Sequence, residues 1–250
     1  MTARPMHRVA TLFTGRVATL ILTGVTLLVG KVELGQGILT AVQQICADEM
    51  DVALEQVHII SGDTALVPNE GVTAGSFSMP NCATAVRHAS AEVRAILLEL
   101  ASQKLGQPAN QLRVEQGVIQ AAGGASVRYG DLLIGRALER EATGQVPLKP
   151  LAEHRYMGRA VPRPDIRDKV LGKSIFVQEM RVPGMLIGQV VRPPTYGAKL
   201  KSLDTASVER MPGVVKVVRN GSFVGVVAER RSEEHTSELQ SLAYLVCRLL

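Results

Sequence analysis

The strongest constraint in this sequence is an apolar stripe with helical spacing in its first half. The members of this stripe are Val86, Ala89, Val93, Ile96, Leu97 and Leu100. Apolar residues three and four positions apart form one face of an α-helix, and that face needs another layer to cover it. A shorter stripe with the same spacing consists of Ile38, Val42, Ile45, Cys46 and Met50. The sequence therefore predicts two amphipathic helices that pack against a further layer.

Segments rich in β-branched residues supply that layer. Three near-copies of one strand occupy residues 9–15, 17–24 and 25–30, and further strands are predicted at 30–37, 56–61 and 112–119. Three short copies are too few for a solenoid. Residues 1–24 are therefore either a duplicated edge strand or a duplication artefact. Tryptophan is absent and aromatic residues make up 3% of the chain, so aliphatic side chains must fill the core of a layered α+β fold.

The second half of the sequence predicts a separate unit. Residues 144–168 are rich in proline and charge, which is typical of a linker. Beyond residue 169 we predict strands at 174–177, 185–191 and 214–218 and a helical turn at 205–209. The expected organisation is a first domain over 25–143, the linker, and a second domain over 169–230.

Charge and cysteine content limit the possible partners. The middle of the chain is basic, with Arg136, Arg140, Lys149, Arg155, Arg159, Arg163, Arg167, Lys169 and Lys173. A nucleic-acid site would interleave aromatic residues with such cations, and only Tyr156 does so, which favours a solvated linker or a subunit-docking face over a nucleic-acid partner. The cysteines are Cys46, Cys82 and Cys247. Without a CxxC spacing they predict no iron–sulfur or zinc site in this chain.

The N-terminal segment gives no clear signal peptide. It is basic and then apolar, but Arg16 and several threonines and glycines interrupt it before the roughly 20 apolar residues that a spanning helix needs. Cytoplasmic, periplasmic and membrane-associated locations all stay open.

Two glycine-containing loops are the candidate binding elements. They are Leu34-Gly-Gln-Gly37 and the segment 71–78, and each precedes a predicted helix. Free backbone N–H groups and the positive end of the helix dipole favour anions at such places. Glycine lets the backbone approach a ligand closely, and hydroxyl and amide side chains add hydrogen bonds. The candidate binding residues are Gly35, Gln36, Gly37, Thr73, Ala74, Gly75, Ser76 and Ser78.

An ordinary structural interpretation applies to each of these features. Either loop alone is compatible with a plain turn. Cys46 on the helix stripe is interpreted as a small buried apolar residue, and Glu33, Asp48 and Glu49 as surface charges or helix-end partners. No nucleophile with a neighbouring base and no paired carboxylates stand out, so we assign no catalytic residue. The residues alone lead to an anion-binding α/β domain.

Taken together, several motifs resemble the molybdopterin-binding large subunits of xanthine dehydrogenase-type hydroxylases. The motifs are residues 30–45, Gly62-Asp63-Thr64, residues 68–76 and Ala85-Val86-Arg87. Their order is most similar to the isoquinoline 1-oxidoreductase and aldehyde dehydrogenase branch. The second unit resembles the a/b hammerhead domain of that family through residues 162–165, 169–172, 182–186, 192–194 and 211–214. The resemblance implies a partial molybdenum-cofactor-binding α/β domain followed by an incomplete hammerhead-like domain.

The resemblance also implies a chemistry. The cofactor would be molybdenum on molybdopterin, in bacteria usually its cytosine dinucleotide form, and the eight loop residues would contact pterin and phosphate. The reaction would hydroxylate an aldehyde or an N-heterocycle with oxygen from water. A small [2Fe–2S] subunit would take the electrons, with a cytochrome c as one candidate acceptor after it. The protein would orient and tune a cofactor that carries the reaction.

Two departures from the family qualify that expectation. The glutamate that acts as base in the family lies far downstream in a longer chain, and no residue here matches it. Residues 231–250 resemble a translated sequencing-adapter oligonucleotide, so we interpret them as a non-native tail; the alternative is a genuine amphipathic helix. The sequence is thus expected to be an inactive fragment of the hydroxylase subunit. The competing hypotheses are a non-catalytic phosphate- or nucleotide-binding module and a remnant with an empty site.

Overall fold

The computed structural model describes residues 10–12, 18–21, 24–134, 139–140, 142–173, 176–193, 195–230 and 248–249. The chain divides into two compact units, Met1–Ile166 and Arg167–Leu250. Among the described residues, no helix combines the length and the apolar character that crossing a membrane requires.

A five-stranded sheet forms one layer of the first unit. Its strands are β1 (Ala10–Leu12), β2 (Ala18–Ile21), β3 (Gly24–Val29), β4 (Val57–Ser61) and β8 (Glu139–Arg140), in the order β4-β3-β2-β1-β8. The strands β1, β2 and β3 pair antiparallel, whereas β4 and β8 run parallel to their neighbours. The three near-copies in the sequence thus contain three adjacent strands. Residues 30–37 were predicted as a strand that ends in a glycine loop; the strand is wrong, because β3 ends at Val29, and the loop is present.

Two helices cover this sheet, and both were predicted from their apolar stripes. They are α1 (Ile38–Met50) and α2 (Thr84–Leu105), the latter preceded by a π-helical turn, Ser78–Ala83. The helix α2 ends where Gly106 adopts a left-handed conformation with φ 66° and its N–H donates to the Ser102 carbonyl. Cys46 on α1 is fully buried in the core between helices and sheet, as predicted.

A small antiparallel sheet completes the first unit. It consists of β5 (Arg113–Glu115), β6 (Val118–Gln120) and β7 (Ser126–Arg128), and the short helix α3 (Tyr129–Leu132) follows it. Tyr129 joins this sheet to α1, because its hydroxyl donates a 2.9 Å hydrogen bond to the carbonyl of Met50. The strand predicted at 112–119 falls on β5 and the start of β6, with a turn between them.

The interpretation of Asp48 and Glu49 as surface charges is wrong. Both are fully buried at the end of α1, where they bind residues of the segment 142–166. A solvated position is also wrong for Lys149, which is buried and pairs with the Asp51 carboxylate. The physical reason is the same in each case. Each buried charge is paired with an opposite charge or hydrogen bonded to backbone N–H groups, so it is stable without contact with water.

The second unit contains a three-stranded antiparallel sheet. Its strands, in the order β11-β12-β9, are β9 (Ile187–Val191), β11 (Val214–Asn220) and β12 (Phe223–Ala228). Val208 of the short helix α5 (Ala206–Glu209) packs with Val217, Val224 and Val226 of this sheet. A further short helix, α4 (Ile166–Val170), stands at the boundary between the units.

Two predictions for the second unit fall partly outside the described residues. The predicted strand at 174–177 is wrong at Val177, which begins a 3-10 turn, Val177–Glu179, while Ser174 and Ile175 are not described. The predicted non-native tail also lies outside the described residues, except for β13 (Arg248–Leu249). That strand pairs antiparallel with β10 (Leu200–Ser202).

Candidate functional site

Seven of the eight predicted binding residues line one cleft of about 400 Å³ in the first unit. They are Gln36, Gly37, Thr73, Ala74, Gly75, Ser76 and Ser78. The eighth, Gly35, lies in the same loop but is not part of the lining. Four apolar residues that were not predicted complete the lining, and these are Leu34, Ile38, Ala41 and Met79. Two loops separated by more than thirty residues therefore form opposite parts of a single cleft.

The first loop ends at the N-terminus of α1, and an internal carboxylate already occupies that position. Glu33 Oε1 accepts the N–H groups of Gly35 and Gly37 at 2.8 Å each, and Glu33 Oε2 accepts the N–H of Leu39 at 3.4 Å. A negative group at a helix N-terminus satisfies unpaired N–H groups and the helix dipole. The loop donors were predicted to be free for a bound anion, and for the N–H groups of Gly35 and Gly37 that prediction is wrong.

Gln36 shapes its own loop with both ends of its amide. Its Nε2 donates to the Val32 carbonyl at 3.0 Å, and its Oε1 accepts the N–H of Leu34 at 2.6 Å. One amide N–H and one lone pair of Oε1 remain for another partner. The side chain is thus held in place at the edge of the cleft.

Arg163 fixes the first loop from outside. Its Nη1 donates to the Gly35 carbonyl at 3.0 Å, and its Nη2 lies 3.5 Å from Glu33 Oε1 and 2.7 Å from Asp165 Oδ2. Hydrogen bonding to Asp165 raises the pKa of Arg163 above its ordinary value. From the sequence, Arg163 was only one cation of a basic segment.

The second loop presents backbone donors and hydroxyls to the cleft. Gly75 and Ser76 are both left-handed, with φ values of 65° and 60°. Positive φ is uncommon outside glycine and marks strain that the surrounding structure must hold. Within the described part of the chain, nothing accepts a hydrogen bond from the N–H groups of Ala74, Gly75 or Ser76. Consecutive free N–H groups in such a bend form a concave site suited to an anion.

The side chains that line the cleft carry no formal charge. Among the described residues, no group of three or more His, Cys, Asp or Glu side chains could hold a metal ion. The cleft can therefore bind a ligand through backbone N–H groups, hydroxyls and one amide, against an apolar floor.

Arg163 is the functional residue that sequence reasoning missed at this loop, whereas the interpretation of Glu33 as a helix-end partner is confirmed. An acid two residues before the first glycine and close to a helix start is a capping signal, which agrees with that interpretation. Arg163 lies 128 residues from the Gly35 carbonyl that it binds, and no local pattern reveals such a partner.

Comparisons with known proteins agree on one family. The molybdopterin cofactor-binding domain family matches residues 11–160, which is more than half of the chain. One component of the nicotinate dehydrogenase of Pseudomonas putida is 39% identical over 212 residues, covering 82% of this chain and 18% of the relative. A membrane-bound aldehyde dehydrogenase (pyrroloquinoline-quinone) of Gluconacetobacter polyoxogenes is 32% identical, covering 77% of this chain and 26% of the relative.

A third relative, the beta component of the isoquinoline 1-oxidoreductase of Brevundimonas diminuta, is 25% identical and covers 78% of this chain and 30% of its own length. The chain thus spans between 18% and 30% of the length of these three relatives. Because the family match covers both loops, both helices and nearly all of the five-stranded sheet, the chain belongs to the molybdopterin cofactor-binding domain family of xanthine dehydrogenase-type molybdenum-binding subunits.

Proposed function

We propose that the cleft between the two loops holds part of a molybdopterin cofactor, and that the chain is a portion of a molybdenum hydroxylase large subunit. The observation that carries this proposal is the convergence of Gln36, Gly37 and residues 73–78 on one cleft. The eight residues selected from the sequence remain the proposed contacts. Gly35 would act from within the loop.

The donor set of the cleft fits such a group. A pterin has a flat ring with several hydrogen-bonding edges, and its phosphate needs donors without competing carboxylates. The hydroxyls of Thr73, Ser76 and Ser78 and the Gln36 amide suit the ring edges. The free N–H groups of residues 74–76 suit the phosphate, because Glu33 occupies the alternative position at α1. No lining side chain would place a negative charge beside it.

When bound, the cofactor would supply hydroxylation of an aldehyde or N-heterocycle carbon, with oxygen from water and electrons leaving to a [2Fe–2S] partner. The residues of this chain would bind and orient it, and we assign none of them a catalytic role. The names of the relatives, two for N-heterocycles and one for aldehydes, support this substrate class. The cytosine dinucleotide form, a small iron–sulfur subunit, a cytochrome c acceptor and a hammerhead-like second domain at 169–230 are parts of the same proposal.

The test is the cofactor content of the purified full chain, produced in a host that makes both simple and dinucleotide forms of molybdopterin. Molybdenum is measured by mass spectrometry, and the nucleotide released by mild acid hydrolysis is identified by chromatography. We expect molybdenum together with cytidine monophosphate. Bound nucleotide without molybdenum would instead support a phosphate- or nucleotide-binding module, and neither would support a remnant.

A pair of matched variants locates the site. Ala41 lies on α1 and lines the cleft, so Ala41→Leu fills it with a larger side chain. Ala85 is an exposed alanine of α2 outside the lining, so Ala85→Leu makes the same change elsewhere. We expect Ala41→Leu to lose most of the molybdenum while keeping its unfolding midpoint, and Ala85→Leu to keep both. Equal molybdenum in the two variants would place the cofactor somewhere other than this cleft.

A further inference from the structure

The second loop of the cleft rests on three consecutive residues that follow β3. Gly30 makes room for it, because a Cβ there would lie 2.3 Å from the Pro68 carbonyl oxygen and 2.9 Å from Cγ of Glu70. Two residues on, the N–H of Val32 donates to Oγ1 of Thr73 at 3.0 Å. The same segment continues directly into the first loop. Both parts of the cleft are therefore built on one short stretch of backbone.

Lys31 is the central residue of that stretch. Its side chain is almost fully buried, with 3% of the residue exposed, and its Nζ donates to the carbonyls of Glu70 at 2.6 Å and Val72 at 2.8 Å. Ser61 at the end of β4 holds the backbone of Lys31 through a 2.7 Å hydrogen bond to its carbonyl. A buried ammonium must be hydrogen bonded to be tolerated. The loop satisfies it by turning two alternate carbonyl groups inward.

The turn that follows the second loop also lies close to Lys31 and Glu70. Cys82, in the π-helical turn that follows the loop, is buried, and the charges of Glu70 and Lys31 lie close enough to influence its thiol. Burial and the neighbouring Glu70 raise the pKa of this thiol from 9.0 to about 12. A thiol in this state reacts slowly with alkylating reagents. Cys82 therefore reports whether the loop above it is closed.

We propose that Lys31 is a positioning residue for the cofactor cleft: its ammonium fixes the carbonyls of Glu70 and Val72 and so sets the conformation of the loop that carries Thr73 to Ser78. This inference rests on the proposed cofactor site for its functional consequence, but not for its structural claim. Removal of the ammonium leaves two carbonyls facing an apolar side chain. Hydrogen bonds to charged groups are among the stronger ones in proteins, so their loss shifts the loop toward open conformations.

The test uses the full chain with a Cys247→Ser background, in which Cys46 and Cys82 are the remaining thiols. The variants are Lys31→Met, which keeps an unbranched chain without charge, and Lys31→Arg, which keeps a cation. Lys149→Met is the matched control, because Lys149 is also buried in the first unit but binds Asp51 at the end of α1. The alkylation rate of Cys82 is measured by peptide mass spectrometry, and molybdenum content is measured on the same samples.

We expect Lys31→Met to raise the Cys82 rate at least about tenfold, with Lys31→Arg close to the starting protein. The Lys149→Met control should leave the Cys82 rate unchanged even if its melting temperature falls. An unchanged rate in Lys31→Met, or an equal rise in Lys149→Met, would overturn the proposal. If Lys31→Met does not fold, Lys31→Gln decides: an intermediate rate supports the proposal, and the starting rate refutes it.

Molybdenum content separates this inference from the proposed function. If both hold, Lys31→Met loses molybdenum in parallel with the faster Cys82 reaction, and Lys31→Arg regains it. If the starting chain carries no cofactor but the Cys82 rates follow the expected order, the proposed function fails and the role of Lys31 in the loop stands.

Discussion

Asp48 accepts a 2.7 Å hydrogen bond from the backbone N–H of Met157, 109 residues further along the chain. The same carboxylate also accepts the N–H groups of Arg155 at 2.8 Å and Tyr156 at 3.1 Å. Three consecutive donors on one fully buried carboxylate tie the segment after residue 142 to the end of α1. From the same helix, the Gln44 amide donates to the Tyr156 carbonyl at 2.6 Å.

We expect Asp48→Asn to lower the free energy of unfolding by about 3 kcal/mol. The Asn side chain has the same shape, but its NH2 group replaces one accepting oxygen and faces backbone N–H groups that also donate. Urea denaturation measures the change. Glu115→Gln is the control, since Glu115 is an exposed acid on β5 and its neutralisation should cost less than about 0.5 kcal/mol. Equal midpoints for Asp48→Asn and the starting protein would show that the carboxylate does not anchor the segment.

A second prediction concerns the ion pair of the fully buried Glu49 and the partly exposed Arg87, whose Oε1 and Nε atoms are 2.8 Å apart. Glu49 is fully buried and also accepts the N–H of Lys149 at 3.2 Å. We expect Glu49→Leu alone to cost up to about 3 kcal/mol, because Arg87 and the Lys149 N–H lose their acceptor, while the partial exposure of Arg87 limits the loss. The double variant with Arg87→Met should recover part of this loss, since a buried pair is often replaceable by apolar residues.

A double-mutant cycle on unfolding free energies measures this coupling. Strict additivity of the two single changes would mean that the pair contributes nothing as a pair.

These acids mark where prediction from the sequence succeeded and where it failed. The apolar stripes identified α1 and α2 because periodicity is a local property. Asp48 and Glu49 stand three and four residues after Ile45, on the buried face of the same helix. Their burial was misjudged because it depends on Lys149, Arg87 and backbone donors that are distant in sequence. Acids at stripe positions in a chain with a basic segment were the available signal.

For the cleft, too, the sequence predicted the local features and not the long-range contacts. The two loops could be selected from the sequence because glycine and hydroxyl residues before a helix have a direct physical meaning. Their convergence, and the support from Lys31 and Arg163, arise from contacts that join positions up to 128 residues apart. The local sequence identifies Glu33 as a candidate helix-end partner, but it does not decide whether Glu33 or a ligand accepts the N–H groups at that helix start. Such competition is settled only by the folded geometry.

Ser76 gives a prediction that separates backbone strain from hydroxyl chemistry. Its φ of 60° is unfavourable for a residue with a Cβ, so Ser76→Gly should stabilise the chain relative to Ser76→Ala by up to about 1 kcal/mol. Thermal unfolding measures this difference. If the hydroxyl also binds the cofactor, both variants lose molybdenum equally, whereas Ser76→Gly alone retains it if only the backbone N–H groups bind. A less stable Ser76→Gly would contradict the strain at this position.

The final prediction concerns alkaline pH. Burial raises the pKa of the Cys46 thiol from 9.0 to about 12, although a hydrogen bond with Ser90 lowers it in part. Between these values the unfolded chain loses the thiol proton while the folded chain keeps it. The free energy of unfolding must therefore fall as pH rises above 9, by up to about 1.4 kcal/mol per pH unit for this group. The buried Cys82 thiol and Tyr129 hydroxyl, whose pKa values are also raised, act in the same direction.

Urea midpoints between pH 8 and pH 11 test this dependence, with Cys46→Val as the comparison because it fills a similar volume without a titrating group. We expect the midpoint of the starting protein to fall more steeply above pH 9 than that of Cys46→Val, and the two curves to run parallel below pH 8.5. Identical slopes across the whole range would mean that Cys46 is reached by solvent in the folded state, against its place in the core between α1 and α2.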